Sequence, residues 1–290
     1  MQITPLAFDS FGARSMCTFV GTDDVKVIID PAVALGPKRY NLSPHPLELQ
    51  KKGELWEKIK EYTAKSEVAV FTHYHYDHHN PDEPEMLNGK KVLAKHTTQK
   101  INKSQMNRGK YFLKQLGYTE SVEFADGRSY QFGDTIIVVS PPVFHGTSEK
   151  LGYVIEVLID DGEQRFLYSS DVEGPSIPAQ IDFMIESDPH VVIIDGPMTY
   201  MLGFRYSQKA LQESVNNLKK LIDNTEVKNL VLDHHLTRDL NWREKINEVI
   251  SKGEDAGVEV QSAAEFAGIK ENLLEARRKE LYQKYPPEKK

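Results

Sequence analysis

Short apolar runs separated by turn signals make up most of the chain. Near the N-terminus, Ile3 to Phe8, Met16 to Val20 and Val25 to Asp30 are rich in β-branched and aromatic residues. Turn signals at Gly12 and Gly21-Thr22-Asp23-Asp24 separate them, which predicts a β-meander. A proline-dense loop without periodicity, Pro31 to Pro46, follows, and a loop of that length is more often functional than not. Leu47, Leu55, Trp56 and Ile59 recur at helical spacing among charges, so Leu47 to Tyr62 is expected as a helix leading into the strand Val68 to Phe71. Lys90 to Ala94, Ser121 to Phe124, Ser129 to Phe132 and Thr135 to Ser140 read as strands. Leu151 to Ile159 and Gln164 to Asp171 read as a hairpin turning at Asp160-Asp161-Gly162-Glu163. Val191 to Ile194 is a buried strand with Asp195 at its exit. Ser207 to Asp223 is an amphipathic helix carrying Leu211, Val215, Leu218 and Leu221-Ile222 on one stripe. It delivers the chain to the strand Val227 to Asp233 and the pair His234-His235. A helix at Trp242 to Ser251, a strand at Val258 to Gln261 and a charged helix from Ile269 to Tyr285 close the chain. Ile269, Leu273, Leu274 and Leu281 suggest that this last helix packs on the body or on a second subunit.

The densest chemistry follows the run Val68-Ala69-Val70-Phe71, in Thr72-His73-Tyr74-His75-Tyr76-Asp77-His78-His79-Asn80-Pro81. His73 and His75 are two apart, so on extended backbone their side chains point the same way and can hold one metal from one side. Asp77 and His78 come next and are close enough to serve a second metal. Neutral imidazoles and a carboxylate suit zinc, or iron and manganese, with an open position for water in a catalytic site. The bland alternative is a His-rich surface loop that binds metal adventitiously.

This His73-x-His75-x-Asp77-His78 pattern resembles the signature of the metallo-β-lactamase superfamily. The likeness extends over about residues 30 to 240 through Asp30, His145, Asp171 and His234 in that order. The particular flavour of Asp30-Pro31, Gly36-Pro37-Lys38-Arg39-Tyr40 and Asp233-His234-His235-Leu236-Thr237-Arg238-Asp239 looks like an archaeal branch of predicted metal-dependent hydrolases. The resemblance implies an α/β fold, the αβ/βα four-layer sandwich of the metallo-β-lactamase type. All 290 residues would form a single domain of two similar halves, about 1–115 and 116–268, with a C-terminal helix over 269–290. It also implies two divalent metal ions. His73, His75 and His145 would hold one, Asp77, His78 and His234 the other, with His235 as the alternative to His234. Asp171 would bridge them, Asp30 would orient the metal loop, and a hydroxide between the ions would be the nucleophile, with Asp77 also steering it. Pro81 stands where many members have glycine, and His79 has no assigned task.

Composition and charge narrow the function. The net charge is −7 and the pI about 5.8, which argues against a protein that coats nucleic acid over its whole surface. Local basic patches remain. Lys95 to Lys114 holds six Lys and Arg residues and no Asp or Glu, with Arg108 and Tyr111 near its middle, a pattern that could hold phosphates or stack bases. Lys38, Arg39 and Arg238 are further candidates for an anionic group, and Asp195 or Arg205 could also approach the substrate. A single cysteine, Cys17, excludes an internal disulfide and a Cys-cluster zinc structure. Mean hydropathy is −0.50, no apolar run is long enough to span a membrane, and the N-terminus lacks a signal pattern, so a cytoplasmic location is expected. The expected function is hydrolysis of a phosphoester or phosphodiester in a small molecule, nucleotide or nucleic acid. Lactone, ester or thioester hydrolysis on the same metals is the alternative, and a metal-stabilised nucleic-acid-binding protein is a third reading.

Overall fold

In a computed structural model, which describes residues 1–117 and 122–287, two mixed sheets face each other. The first takes its strands in chain order: β1 (Gln2–Phe8), β2 (Met16–Gly21), β3 (Lys26–Ile29), β4 (Val68–Phe71), β5 (Lys91–Ala94) and β6 (Val122–Phe124). The second comprises β7 (Ser129–Phe132), β8 (Thr135–Val139), β11 (Val157–Asp160), β12 (Arg165–Tyr168), β13 (Val191–Asp195), β14 (Asn229–Asp233) and β15 (Glu259–Gln261). Between β8 and β11 the chain forms a small ribbon of β9 (Val143–Phe144) and β10 (Tyr153–Val154). Each sheet starts antiparallel and continues parallel, from β3 to β6 and from β12 to β15. Parallel neighbours need crossovers. Helices α1 (Pro46–Lys65), α2 (Lys103–Gln115), α3 (Pro178–Glu186), α4 (Gln208–Asn224) and α6 (Asn247–Ala256) supply all but one, with the short α5 (Trp242–Lys245) ahead of the last. The exception is β4, which passes to β5 through the loop over residues 73–79 and a 3-10 turn at Pro84–Leu87.

Strand alternation divides the core into layers. On β13, Val191 and Ile193 join the cluster between the sheets, together with Val231 of β14 and Ile28 and Val70 of the first sheet. Their neighbours Val192, Ile194, Leu230 and Leu232 point the other way, onto Val215, Leu218 and Leu221 of α4. Both faces of these strands are buried, which is why they read as continuous apolar runs.

Three expectations change. The expected strand Leu151 to Ile159 is broken: Val154 pairs with Val143 on the ribbon, and only Val157–Asp160 joins the main sheet. Three helices were not read from the sequence, α2, α3 and the short α7 (Ala263–Phe266). The third change is at the C-terminus, where the expected helix is confined to α8 (Arg278–Lys284). Upstream of it the backbone is tied down by tertiary partners instead of its own helix: Asn272 N–H donates to Ser10 O at 2.8 Å, Arg14 pairs with Glu275 at 2.6 Å, and Tyr40 Oη donates to Ala276 O at 3.0 Å. Arg278 is fully buried against Glu48 of α1 at 2.7 and 2.8 Å, so this segment clasps the loop between β3 and α1 onto the body. Ser121, the first residue of one expected strand, lies outside the described residues. No helix among the described residues is long and apolar enough to cross a membrane.

Candidate metal centre

The carboxyl ends of the parallel strands meet along one rim. Asp30 follows β3, His73 follows β4, Asp171 follows β12, Asp195 ends β13 and His234 follows β14. Ligands of open α/β sheets collect at such edges. The backbone there is unusual: Asp30, Ser170, Glu173 and His234 all have positive φ, at 48°, 59°, 52° and 58°. Non-glycine residues hold that conformation only where their surroundings over-determine it. Beyond His73 the chain closes one tight turn, with the N–H groups of His78 and His79 both donating to His75 O at 2.9 and 3.0 Å. That turn brings His75, Asp77 and His78 to the same rim.

Asp171 lies in the middle. Its Oδ2 is 3.5 Å from His73 Nε2 and 3.3 Å from His145 Nε2, and His145 Nε2 is 3.1 Å from His75 Nδ1. Its Oδ1 is 2.8 Å from His78 Nε2 and 3.3 Å from His234 Nε2, and Asp77 Oδ2 is 3.8 Å from His234 Nε2. The donor atoms therefore fall into a group of His73, His75, His145 and Asp171 and a group of Asp77, His78 and His234.

Three of the imidazoles are set by their other nitrogen, whereas His145 Nδ1 makes no aligned hydrogen bond among the described residues. His78 Nδ1 donates to Asp30 Oδ2 at 2.8 Å. Asp30 also accepts from Thr72 N–H at 2.8 Å, Thr72 Oγ1 at 2.5 Å and Tyr168 Oη at 2.9 Å. His73 Nδ1 faces the hydroxyls of Ser170 and Thr72 at 3.2 and 3.3 Å. His234 Nδ1 donates to Asp9 Oδ2 at 2.7 Å, and Asp9 Oδ1 accepts from Arg238 Nε at 2.7 Å. His235 Nδ1 donates to Asp195 Oδ2 at 2.9 Å, and its ring still offers a donor atom beside Asp171 and His234.

Once Nδ1–H of His78 is given to Asp30, Nε2 is a bare acceptor facing a carboxylate oxygen. His73 Nε2, His78 Nε2 and Asp171 Oδ1 are buried and make no aligned hydrogen bond among the described residues. Acceptors crowded in this way require a cation, so the donor set fits metal ions. With protons in their place, burial pushes His78 down but the carboxylates of Asp171 and Asp30 outweigh it and bring the ring up to about 10. Burial, together with the His78 and His75 rings, lowers His73 well below its ordinary range, against the pull of Asp171. Asp171 is raised by burial and pulled further down by the His78, His234 and His73 rings, for a net shift well below the carboxylate range. The His and Asp clusters are consistent with a dinuclear metal site.

A cleft of about 860 Å³ opens above this floor. Arg108, Lys150, Arg205 and Arg238 line it, along with Arg14, which Glu275 neutralises. Arg238 sits deepest, with Nη2 3.1 Å from His234 Nε2 and 4.0 Å from Asp77 Oδ2. Of the other sequence candidates, Lys38 is exposed and does not line the cleft. Arg39 is taken up by the fold: its guanidinium donates to Arg238 O at 3.2 Å and stacks on Tyr200 at 4.4 Å. Sequence reading missed Asp9, Ser170 and Glu173. Asp9 lies just past β1 and looks like an ordinary turn acid. The only hint was that, like Asp30, it is an acid closing an early strand.

The strand order, the two sheets and the rim of imidazoles define a metallo-β-lactamase fold. Isothiocyanate hydrolase from Delia radicum gut bacteria superposes with a TM-score of 0.54 at 13% identity, over 90% of this chain and 95% of that one. The metallo-beta-lactamase fold protein YhfI from Bacillus subtilis gives 0.52 at 13% identity, over 90% and 93%. A CmlA beta-hydroxylase mutant gives 0.53 at 15% identity over 85% of this chain, which spans 50% of that larger protein. At these identities the likeness concerns the fold. No protein-family model matches the chain. The chain belongs to the UPF0282 family: it is 52% identical over 287 residues to the UPF0282 protein of Korarchaeum cryptofilum, covering 99% of this chain and 96% of that one. The UPF0282 protein of Methanocaldococcus jannaschii is 42% identical over 295 residues, covering 98% and 97%.

Proposed function

We propose that the protein is a metal-dependent hydrolase of phosphoesters or phosphodiesters. The observation that carries the hydrolase reading is Asp171, whose two oxygens each face a separate group of imidazoles. His73, His75 and His145 would hold one divalent ion and Asp77, His78 and His234 the other, with Asp171 shared. Zinc suits this donor set best. Two such ions would lower the pKa of bound water toward neutrality and stabilise charge on attacking and leaving oxygens.

The chain's own residues supply the rest. Asp30 and Asp9 hold His78 and His234 in the tautomer that leaves Nε2 free, as ligands of a metal require. Asp77 is half-buried beside His234 and Arg238 and would also steer the attacking water. Arg238 carries a fixed charge that would bind an anionic oxygen, and Arg108, Lys150 and Arg205 would neutralise the remainder of a phosphate group. These four cations favour phosphate over an uncharged lactone or ester.

The test is turnover of bis(p-nitrophenyl) phosphate beside a p-nitrophenyl ester and a lactone, using protein of determined metal content. Metal-dependent phosphodiester cleavage that Asp171→Ala abolishes is the expected result. Cleavage of the ester or lactone alone would overturn the phosphate reading, and metal binding without any turnover would favour a binding protein.

A further inference from the structure

A second cavity of about 450 Å³ lies beyond Tyr76. It shares Tyr76 and Ala34 with the metal cleft, so one groove runs from the imidazoles into an annex. Three aromatic side chains, Trp56, Tyr76 and Tyr111, line the annex. Tyr76 and Tyr111 leave 52% and 51% of their surface in solvent. The Tyr76 ring is already flanked by His79 and Arg108, so the open stacking face is that of Tyr111. Arg108 stands at the junction, its guanidinium 4.7 Å from the Tyr76 ring centre while it also lines the metal cleft. Arg108 and Tyr111 are one helical turn apart on α2, so the helix presents a cation to the cleft and a ring to the annex from one face. Gly109 lets α2 approach this closely, because a Cβ there would lie 2.7 Å from the Tyr74 ring.

His79, which had no task in the metal site, also lines the annex. Its Nδ1 donates to His75 O at 2.9 Å, which leaves Nε2 as an acceptor. Among the described residues that nitrogen is buried without a partner, and Tyr76 stacks over the ring at 5.3 Å. Asn80 and Asp82 add further acceptors to the same walls. Flat hydrophobic faces combined with acceptors match a planar ring that carries N–H groups, and suit an acyl chain poorly.

We propose that the annex seats the base of a nucleotide, an amino-bearing purine, while its phosphate occupies the metal cleft beside Arg108. The position of the phosphate rests on the phosphoester reading above, whereas the annex rests on its own residues. The experiment titrates metal-loaded protein with adenosine 5′-monophosphate, adenosine and inorganic phosphate, following heat and the fluorescence of Trp56. The nucleotide is expected to bind at least about ten-fold more tightly than phosphate, with Tyr111→Ala erasing that margin. Tyr111 is half exposed, so its removal leaves the core intact. Equal affinity for nucleotide and phosphate, or a margin that survives Tyr111→Ala, overturns the proposal. If phosphate does not bind but adenosine quenches Trp56 in a Tyr111-dependent way, the annex stands and the phosphoester reading falls.

Discussion

Asp30 and Glu156 are both carboxyl groups shut away from solvent, and their surroundings could hardly differ more. Four donors converge on Asp30: the Thr72 amide and hydroxyl, the Tyr168 hydroxyl and the His78 ring. Among the described residues neither oxygen of Glu156 has a partner, and burial pushes its acid well above the ordinary range, with Asp182 adding to the effect. A buried carboxylate is expensive unless hydrogen bonds replace water. At the metal rim the fold provides those bonds and so keeps a negative charge in a dry place. Under α3 it does not, and the acid is held neutral. Asp171 is a third case, because its Oδ1 lacks an aligned donor yet faces two ring nitrogens. That is the state expected of an acid waiting for a cation.

Asp171→Ala should have the largest effect, since it removes the carboxylate common to both groups of donors. Metal content measured by mass spectrometry should fall and turnover should drop to background. A variant that keeps both metals and its activity would break the contrast between Asp171 and the other two acids. Asp9→Ala comes next. It frees His234 and Arg238 together, and loss of such an orienting partner typically costs about 10- to 100-fold in metal affinity. Chelator competition should show weakening confined to one of two ions, whereas equal loss of both would mean that the two groups do not act separately.

Glu156→Met sharpens the comparison from the other side by removing an acid without partners. Stabilisation of about 1–3 kcal/mol is expected at pH 8, read from urea unfolding. The folded-state pKa lies above the unfolded one, so the native protein binds more protons than the unfolded chain and loses stability as pH rises. The gain from the substitution should therefore shrink as pH falls toward the ordinary carboxyl value of 4.5. A gain that does not change with pH would show that Glu156 is charged in the folded state. The smallest effects belong to the rim. Arg205 and Lys150 are exposed, so Arg205→Ala or Lys150→Ala should raise KM only a few-fold and leave kcat near its starting value. The change should fade as salt is added.

Local pattern carried much of this protein into view. The apolar runs predict most strands to within a residue or two, because both faces of a parallel strand must be apolar. The spacing of His73, His75, Asp77 and His78 after a strand marks the metal loop, because such residues have little other reason to crowd there. The resemblance to the metallo-β-lactamase signature then points to His145, Asp171 and His234. Three things were settled only by tertiary structure. His234 Nε2 lies 3.3 Å from Asp171 while Asp195 holds His235 Nδ1, so the two neighbouring rings have different hydrogen-bond partners although both lie near Asp171. Arg39 is withdrawn from the cleft by Tyr200 and the Arg238 carbonyl, although nothing in its neighbours along the chain distinguishes it from Arg108. Residues 269–277 have helical spacing but are held by Ser10, Arg14 and Tyr40, more than 200 positions away. Spacing along a chain records which residues share a face. Which partner that face meets depends on segments that are distant in sequence, and only the folded chain brings them together.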